Sequence, residues 1–243
     1  MRHLLIALVV LAAPLTAAAD KITRDTFDAQ GRPRTFYFYR PQSAGEQAPL
    51  LVLLHGSGRN GLSLVERWKD LASKEGVILA GPDALDSGGW NTATDGPDFL
   101  HDLVELLKTR QPIDPKRVYL FGHSAGAIHG LLMGLLESQY FAAAAVHAGA
   151  LPPDEYAYAK QAARRIPMAI WVGTNDAFFP LSAVRATRDA LTAAGLPVAL
   201  TEIKGHTHDY YSRAADINRE AWGFLKSQVL DRDPEFQRYQ IMR

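Results

Sequence analysis

The sequence predicts an α/β architecture, a single domain on a mostly parallel sheet with helices on both faces. Three observations predict it. Short apolar runs alternate with longer segments of helical spacing. Several runs are apolar at every position, as strands buried on both faces must be. The chain has 243 residues, 47% of them hydrophobic, with no internal repeat or low-complexity tract, so one sizeable core is expected.

Taken in order, Thr35 to Tyr39 is an aromatic and β-branched run ahead of Arg40-Pro41, an early strand, and residues 41–49 form a polar loop. Leu50 to Leu54 is apolar throughout and ends in His55-Gly56-Ser57-Gly58. Leu62 to Lys74 and Phe99 to Lys108 carry apolar residues at helical intervals, with the run Val77 to Ala80 between them. Arg117 to Gly122 is the next strand, followed by a helix from about Ala125 to Glu137 and apolar runs at Ala142 to Val146 and Met168 to Val172. A helix from about Ala183 to Ala194, a strand around Val198 to Ile203 and a helix around Ala215 to Val229 complete the alternation, which is that of parallel α/β sheets.

Met1-Arg2-His3, the apolar run Leu4 to Leu15 and the Ala17-Ala18-Ala19 end have the layout of a secretory signal peptide. The run is shorter than the roughly 20 residues of a membrane span, and Pro14 interrupts it. Residues 1–19 are therefore expected to be removed on export to the periplasm or exterior, leaving 20–243 as the working domain with no stable span. With no cysteine, disulfides, thiolate metal sites and a Cys nucleophile are excluded. Lys plus Arg and Asp plus Glu are 26 each, so nothing in the net charge favours a nucleic acid or an anionic membrane. A small-molecule or polymeric substrate, neutral or weakly charged, fits better.

The sharpest chemical signal is Gly122-His123-Ser124-Ala125-Gly126, set between an apolar strand and a helix. It fits GxSxG, a tight strand-to-helix turn that lifts a serine hydroxyl above the sheet edge. The helix start aims free N–H groups and its positive dipole end at an oxyanion formed there. A serine needs a base within hydrogen-bond reach, oriented by a carboxylate. Asp176, in Gly173-Thr174-Asn175-Asp176 beyond the run 168–172, is the candidate orienter. Gly205-His206-Thr207-His208-Asp209-Tyr210-Tyr211 supplies two candidate bases, and spacing alone does not choose between His206 and His208. Ser57 is assigned as one backbone oxyanion donor and Ala125 as the other. His55 reads as a structural histidine, and Trp90 and Phe178 are candidates for lining the substrate pocket. No metal ligand set clusters here and no cofactor is required.

Together these residues resemble the α/β-hydrolase superfamily of serine esterases. The run Asp114 to Gly126 looks like the exported group that includes polyhydroxybutyrate depolymerases and feruloyl esterases. The segment Gly205 to Tyr211 is similar to the histidine loop of the S-formylglutathione hydrolase and esterase D group, whose Gly-x-x-His-x-Tyr-Tyr pattern places the base at His208; a rival mapping through the Gly-His pair of depolymerases selects His206, but the two tyrosines and the closely following helix match as well, so the resemblance implies His208. The resemblance implies a carboxylic ester hydrolase acting through an acyl-Ser124 intermediate. An envelope acyltransferase or a peptidase would use the same three residues, and a binding module on a hydrolase scaffold would have lost one of them. Only about twenty residues separate the runs ending near Val146 and starting near Met168, too few for a large lid.

Overall fold

The structure is a computed structural model that describes residues 20–237. The expected signal segment 1–19 lies outside the described residues. Eight strands, β1 (Thr23–Ala29), β2 (Arg32–Tyr39), β3 (Ala48–Leu54), β4 (Ile78–Pro82), β5 (Ile113–His123), β6 (Ala143–His147), β7 (Met168–Gly173) and β8 (Val198–Ile203), form one sheet in the order β1-β2-β4-β3-β5-β6-β7-β8. The pairs from β4 through β8 are parallel, and β1 and β2 are antiparallel additions at one edge. The helices are α1 (Gly61–Glu75), α2 (Thr92–Asp95), α3 (Pro97–Arg110), α4 (Ala125–Leu136), α5 (Ala157–Gln161), α6 (Leu181–Ala193) and α7 (Ala214–Leu225). Among the described residues no helix is long and apolar enough to cross a membrane.

The period of two along β3 shows why a strand apolar at every position suits this sheet. Leu50, Val52 and Leu54 enter one core with Phe99, Leu103 and Leu131, whereas Leu51 and Leu53 enter the other with Leu64, Val65, Trp68 and Trp222. Helices α3, α4 and α6 thus cover one face and α1 and α7 the other, each through an apolar stripe such as Leu64, Val65, Trp68 and Ala72 on α1. Asn60 caps α1 by accepting from the Ser63 N–H, and Gly76 ends it in the left-handed conformation.

The sheet was expected from Thr35 onward, yet it begins at Thr23. β1 reads Thr-Arg-Asp-Thr-Phe-Asp-Ala, half exposed in alternation, and its charged residues hide it from a search for apolar runs. A two-residue turn at Gln30 and Gly31, both at positive φ, joins it to β2. The connection between β6 and β7 holds only a turn of 3-10 helix at Pro153–Tyr156 and the five-residue α5, so no lid domain stands over the sheet.

Candidate active site

Ser124 sits between β5 and α4 with φ 58° and ψ −120°, a conformation an L-residue holds only when its surroundings force it. The forcing comes from backbone contact. A Cβ at Gly122 would overlap the Gly126 carbonyl oxygen, and one at Gly126 would overlap the Leu54 carbonyl oxygen, so β5, the turn and β3 close on each other with no room for side chains. The Ser124 N–H donates to the His147 carbonyl at 3.0 Å, tying the elbow to the end of β6.

The loops after β7 and β8 bring the other two groups to that elbow. The Asn175 N–H donates to the His206 carbonyl at 2.9 Å, and the Gly205 N–H to the Thr174 hydroxyl at 2.8 Å, which holds the two loops side by side. His208 Nε2 lies 2.9 Å from Ser124 Oγ, and His208 Nδ1 lies 2.9 Å from Asp176 Oδ2. The Asp176 side chain is fully buried; its Oδ1 accepts the backbone N–H groups of Phe178 (2.9 Å) and Phe179 (2.8 Å). The Phe179 ring stacks on the His208 imidazole at 5.7 Å and the Phe178 ring lies 4.7 Å from it. Ser124, Asp176 and His208 are therefore in one hydrogen-bonded line.

His206 is not in that line. It is buried beside His147, with ring centroids 5.3 Å apart, and its backbone carbonyl rather than its ring reaches the Asp176 loop. Behind the site lies a row of imidazoles, His208, His123 and His147, with His123 Nδ1 3.1 Å from His147 Nδ1. Burial, then the neighbouring His208, pushes His123 down to about 4, and burial with the adjacent His123 pushes His147 down to about 2. Both rings are neutral at ordinary pH.

The Ser57 and Ala125 backbone N–H groups face no protein acceptor among the described residues, and α4 has no side-chain cap. The loop carrying Ser57 is fixed from below. His55 Nδ1 meets the Gly56 carbonyl at 2.9 Å, its Nε2 accepts from the Ala84 N–H at 3.1 Å, and the Trp90 indole N–H donates to the His55 carbonyl at 2.8 Å. Burial lowers the His55 pKa, as expected for a neutral structural imidazole.

A cleft of about 210 Å³ opens over Ser124, lined by Gly56, Ser57, Arg59, His123, His208, Asp209 and Tyr211. Neither pocket candidate lines it. Trp90 lies under the Ser57 loop, stacked on the buried His129 at 5.0 Å, and Phe178, 74% exposed, stands outside against His208. Arg59, His123 and Tyr211 are lining residues that the sequence reading did not assign to the pocket, although His123 and Tyr211 lie inside motifs it singled out and Arg59 adjoins one.

An α/β sheet of this order, with a GxSxG elbow at the carboxyl end of its central strand, is the α/β-hydrolase fold. Solved structures agree: a ferulic acid esterase aligns with TM-score 0.70 at 18% identity, covering 85% of this chain and 97% of that one. The S-formylglutathione hydrolase of Agrobacterium tumefaciens aligns with TM-score 0.68 at 16% identity, covering 84% and 94%. The family described as "Putative esterase" matches residues 28–227, and the chain belongs to it. The bifunctional acetylxylan esterase/xylanase of Neocallimastix patriciarum is 29% identical over 160 residues, 64% of this chain and 23% of that protein. The chain spans less than half the length of the curated relatives it matches.

Proposed function

We propose that this protein is a serine hydrolase that cleaves a carboxylic ester, small or polymeric, through an acyl-Ser124 intermediate. The observation that carries the reading is the pair of 2.9 Å contacts linking Ser124 Oγ to His208 Nε2 and His208 Nδ1 to Asp176 Oδ2. His208 takes the hydroxyl proton as Ser124 Oγ attacks the carbonyl, then returns it to the leaving alcohol. Asp176 accepts the Nδ1–H and so keeps Nε2 free to act as the base. The oxyanion forms where the Ser57 and Ala125 N–H groups can donate to it, and each such donor is worth about a hundred- to a thousandfold in rate. Water, activated by the same imidazole, then releases the acid. Membership of the esterase family supports an ester over an amide substrate.

Residues 1–19 act, in this reading, as an export signal, and residues 20–243 form the catalytic domain. One experiment addresses both parts: intact mass of protein recovered from the producing cell, before and after a fluorophosphonate, with p-nitrophenyl acetate hydrolysis measured in parallel. The expected result is a mature mass lacking 1–19, one adduct that Ser124→Ala abolishes, and hydrolysis lost in His208→Ala but retained in His206→Ala. An unmodified, inactive but folded wild type would overturn the catalytic reading, and an uncleaved mass would overturn the export reading.

A further inference from the structure

Two guanidinium groups share one aromatic ring at the cleft. Arg59 lies 5.0 Å and Arg67 5.7 Å from the Tyr211 ring centroid. Several arginines of this chain meet carboxylates, Arg110 meeting Asp25, Arg117 Asp114, Arg185 Glu202 and Arg219 Asp216, while others, such as Arg40 and Arg164, spend their guanidinium on backbone carbonyls. Arg59 and Arg67 reach none within ion-pair distance among the described residues, although the whole chain carries equal numbers of acidic and basic groups.

The ring between them is held in place. Its hydroxyl donates to Ser63 Oγ at 3.3 Å, and the Tyr211 N–H donates to Asp209 Oδ1 at 3.1 Å. The Arg59 N–H donates to the Gly56 carbonyl at 3.2 Å, which ties its backbone to the loop proposed to hold the oxyanion. Among the residues lining the cleft, Arg59 is the cation and Asp209 the anion, and Asp209 already receives the Tyr211 N–H. His123 on the same wall is neutral near pH 7. The α1 N-terminus begins two residues after Arg59 and has no acidic residue in its first turn, so its dipole adds to the same sign.

We propose that Arg59, steadied on Tyr211 and assisted by Arg67, is a specificity residue that receives a carboxylate, so that the preferred substrates are esters bearing a free carboxylate near the scissile bond. The inference rests on the reading of Ser124 as the nucleophile. Guanidinium fits the task because its planar fork pairs with a carboxylate through two hydrogen bonds. The carboxylate takes no part in bond making. The ester bond alone breaks, and Arg59 acts by binding.

The test measures kcat and KM for monomethyl adipate, which carries a free carboxylate, and for dimethyl adipate, which does not, by methanol release. Wild type, Arg59→Met, Arg59→Lys and Arg67→Met are compared at low and high salt. The quantity read is the ratio of kcat/KM for the charged ester over the neutral one. The expected ratio favours the charged ester in wild type and falls about tenfold in Arg59→Met, mainly through KM. It should be partly restored in Arg59→Lys, fall less in Arg67→Met, and shrink as sodium chloride rises. A wild-type ratio near one, or a preference that survives in Arg59→Met, overturns the proposal while leaving ester hydrolysis standing. Failure of folded wild type to cleave either adipate ester or p-nitrophenyl acetate overturns the Ser124 reading and this one with it.

Discussion

Replacing Asp176 by Asn tests the hydrogen-bonded line more sharply than removing the serine, because size is conserved and only the pattern of donors and acceptors changes. Asp176 is a pure acceptor with three N–H groups aimed at it: Phe178 and Phe179 backbone N–H on Oδ1 and His208 Nδ1 on Oδ2. An asparagine amide offers one acceptor oxygen and one NH2. With its oxygen toward the two backbone groups, the NH2 faces His208 and pushes the ring toward the tautomer with its proton on Nε2, where it cannot accept from Ser124. With the amide turned round, the two backbone donors lose their acceptor in a fully buried position. The first arrangement costs rate, about ten-thousandfold in kcat where a triad is driven into the wrong tautomer. The second leaves buried donors unpaired, about 1–3 kcal/mol of stability for each. Steady-state hydrolysis of p-nitrophenyl acetate, read beside the urea midpoint of the same preparation, separates the two. If Asp176→Asn kept kcat within tenfold of wild type with an unchanged midpoint, the role given to Asp176 would be refuted.

Two further outcomes concern the frame of the site. Arg34 and Asp95 form a buried ion pair, and the same Asp95 carboxylate accepts the Leu85 and Asn91 N–H groups that shape the loop carrying Trp90. Arg34→Met strands the carboxylate and should lower unfolding free energy by about 3–5 kcal/mol in urea titration; a loss under 1 kcal/mol would sink that account. Burial holds His123 and His129 at about 4, below the 6.5 of an exposed histidine. The unfolded chain then binds more protons than the folded one between these values, so this stability is complete above about pH 6.5 and is lost as pH falls towards 4. Each ring should contribute on the order of 1–2 kcal/mol of loss between pH 7 and 5, and a urea midpoint flat over that range would contradict it.

The fold was legible where burial leaves one kind of side chain. β3, β6, β7 and the second half of β5, Val118 to Phe121, are dominated by apolar residues because both faces are covered, and the edge strand Val198 to Ile203, half exposed, was found at its true bounds. β1 was missed because an edge strand can keep charges on its open face. At the site, Ser124 was legible because the elbow needs glycines at fixed offsets. The choice of His208 over His206 was not legible from spacing, since both lie in one short loop; the two tyrosines and the following helix of the resemblance favoured His208, and the path of the chain sends that imidazole to Ser124 and the His206 ring beside His147. Trp90 was expected in the pocket because it is a large residue in a loop on the catalytic face. Its indole N–H instead found a backbone acceptor, the His55 carbonyl, and so the ring turned beneath the loop. Arg59 escaped notice because an exposed arginine in a polar loop has no pattern of its own.

The four residues from Asp176 to Phe179 hold their own carboxylate with their own backbone and set two aromatic rings against the imidazole hydrogen-bonded to it. The carboxylate and its clamp are thus one contiguous cassette, dependent on the rest of the protein mainly for where it is delivered. Such a piece is portable: a point substitution within it disturbs the contact to His208, whereas moving it whole to the end of another strand would carry the acceptor geometry along intact.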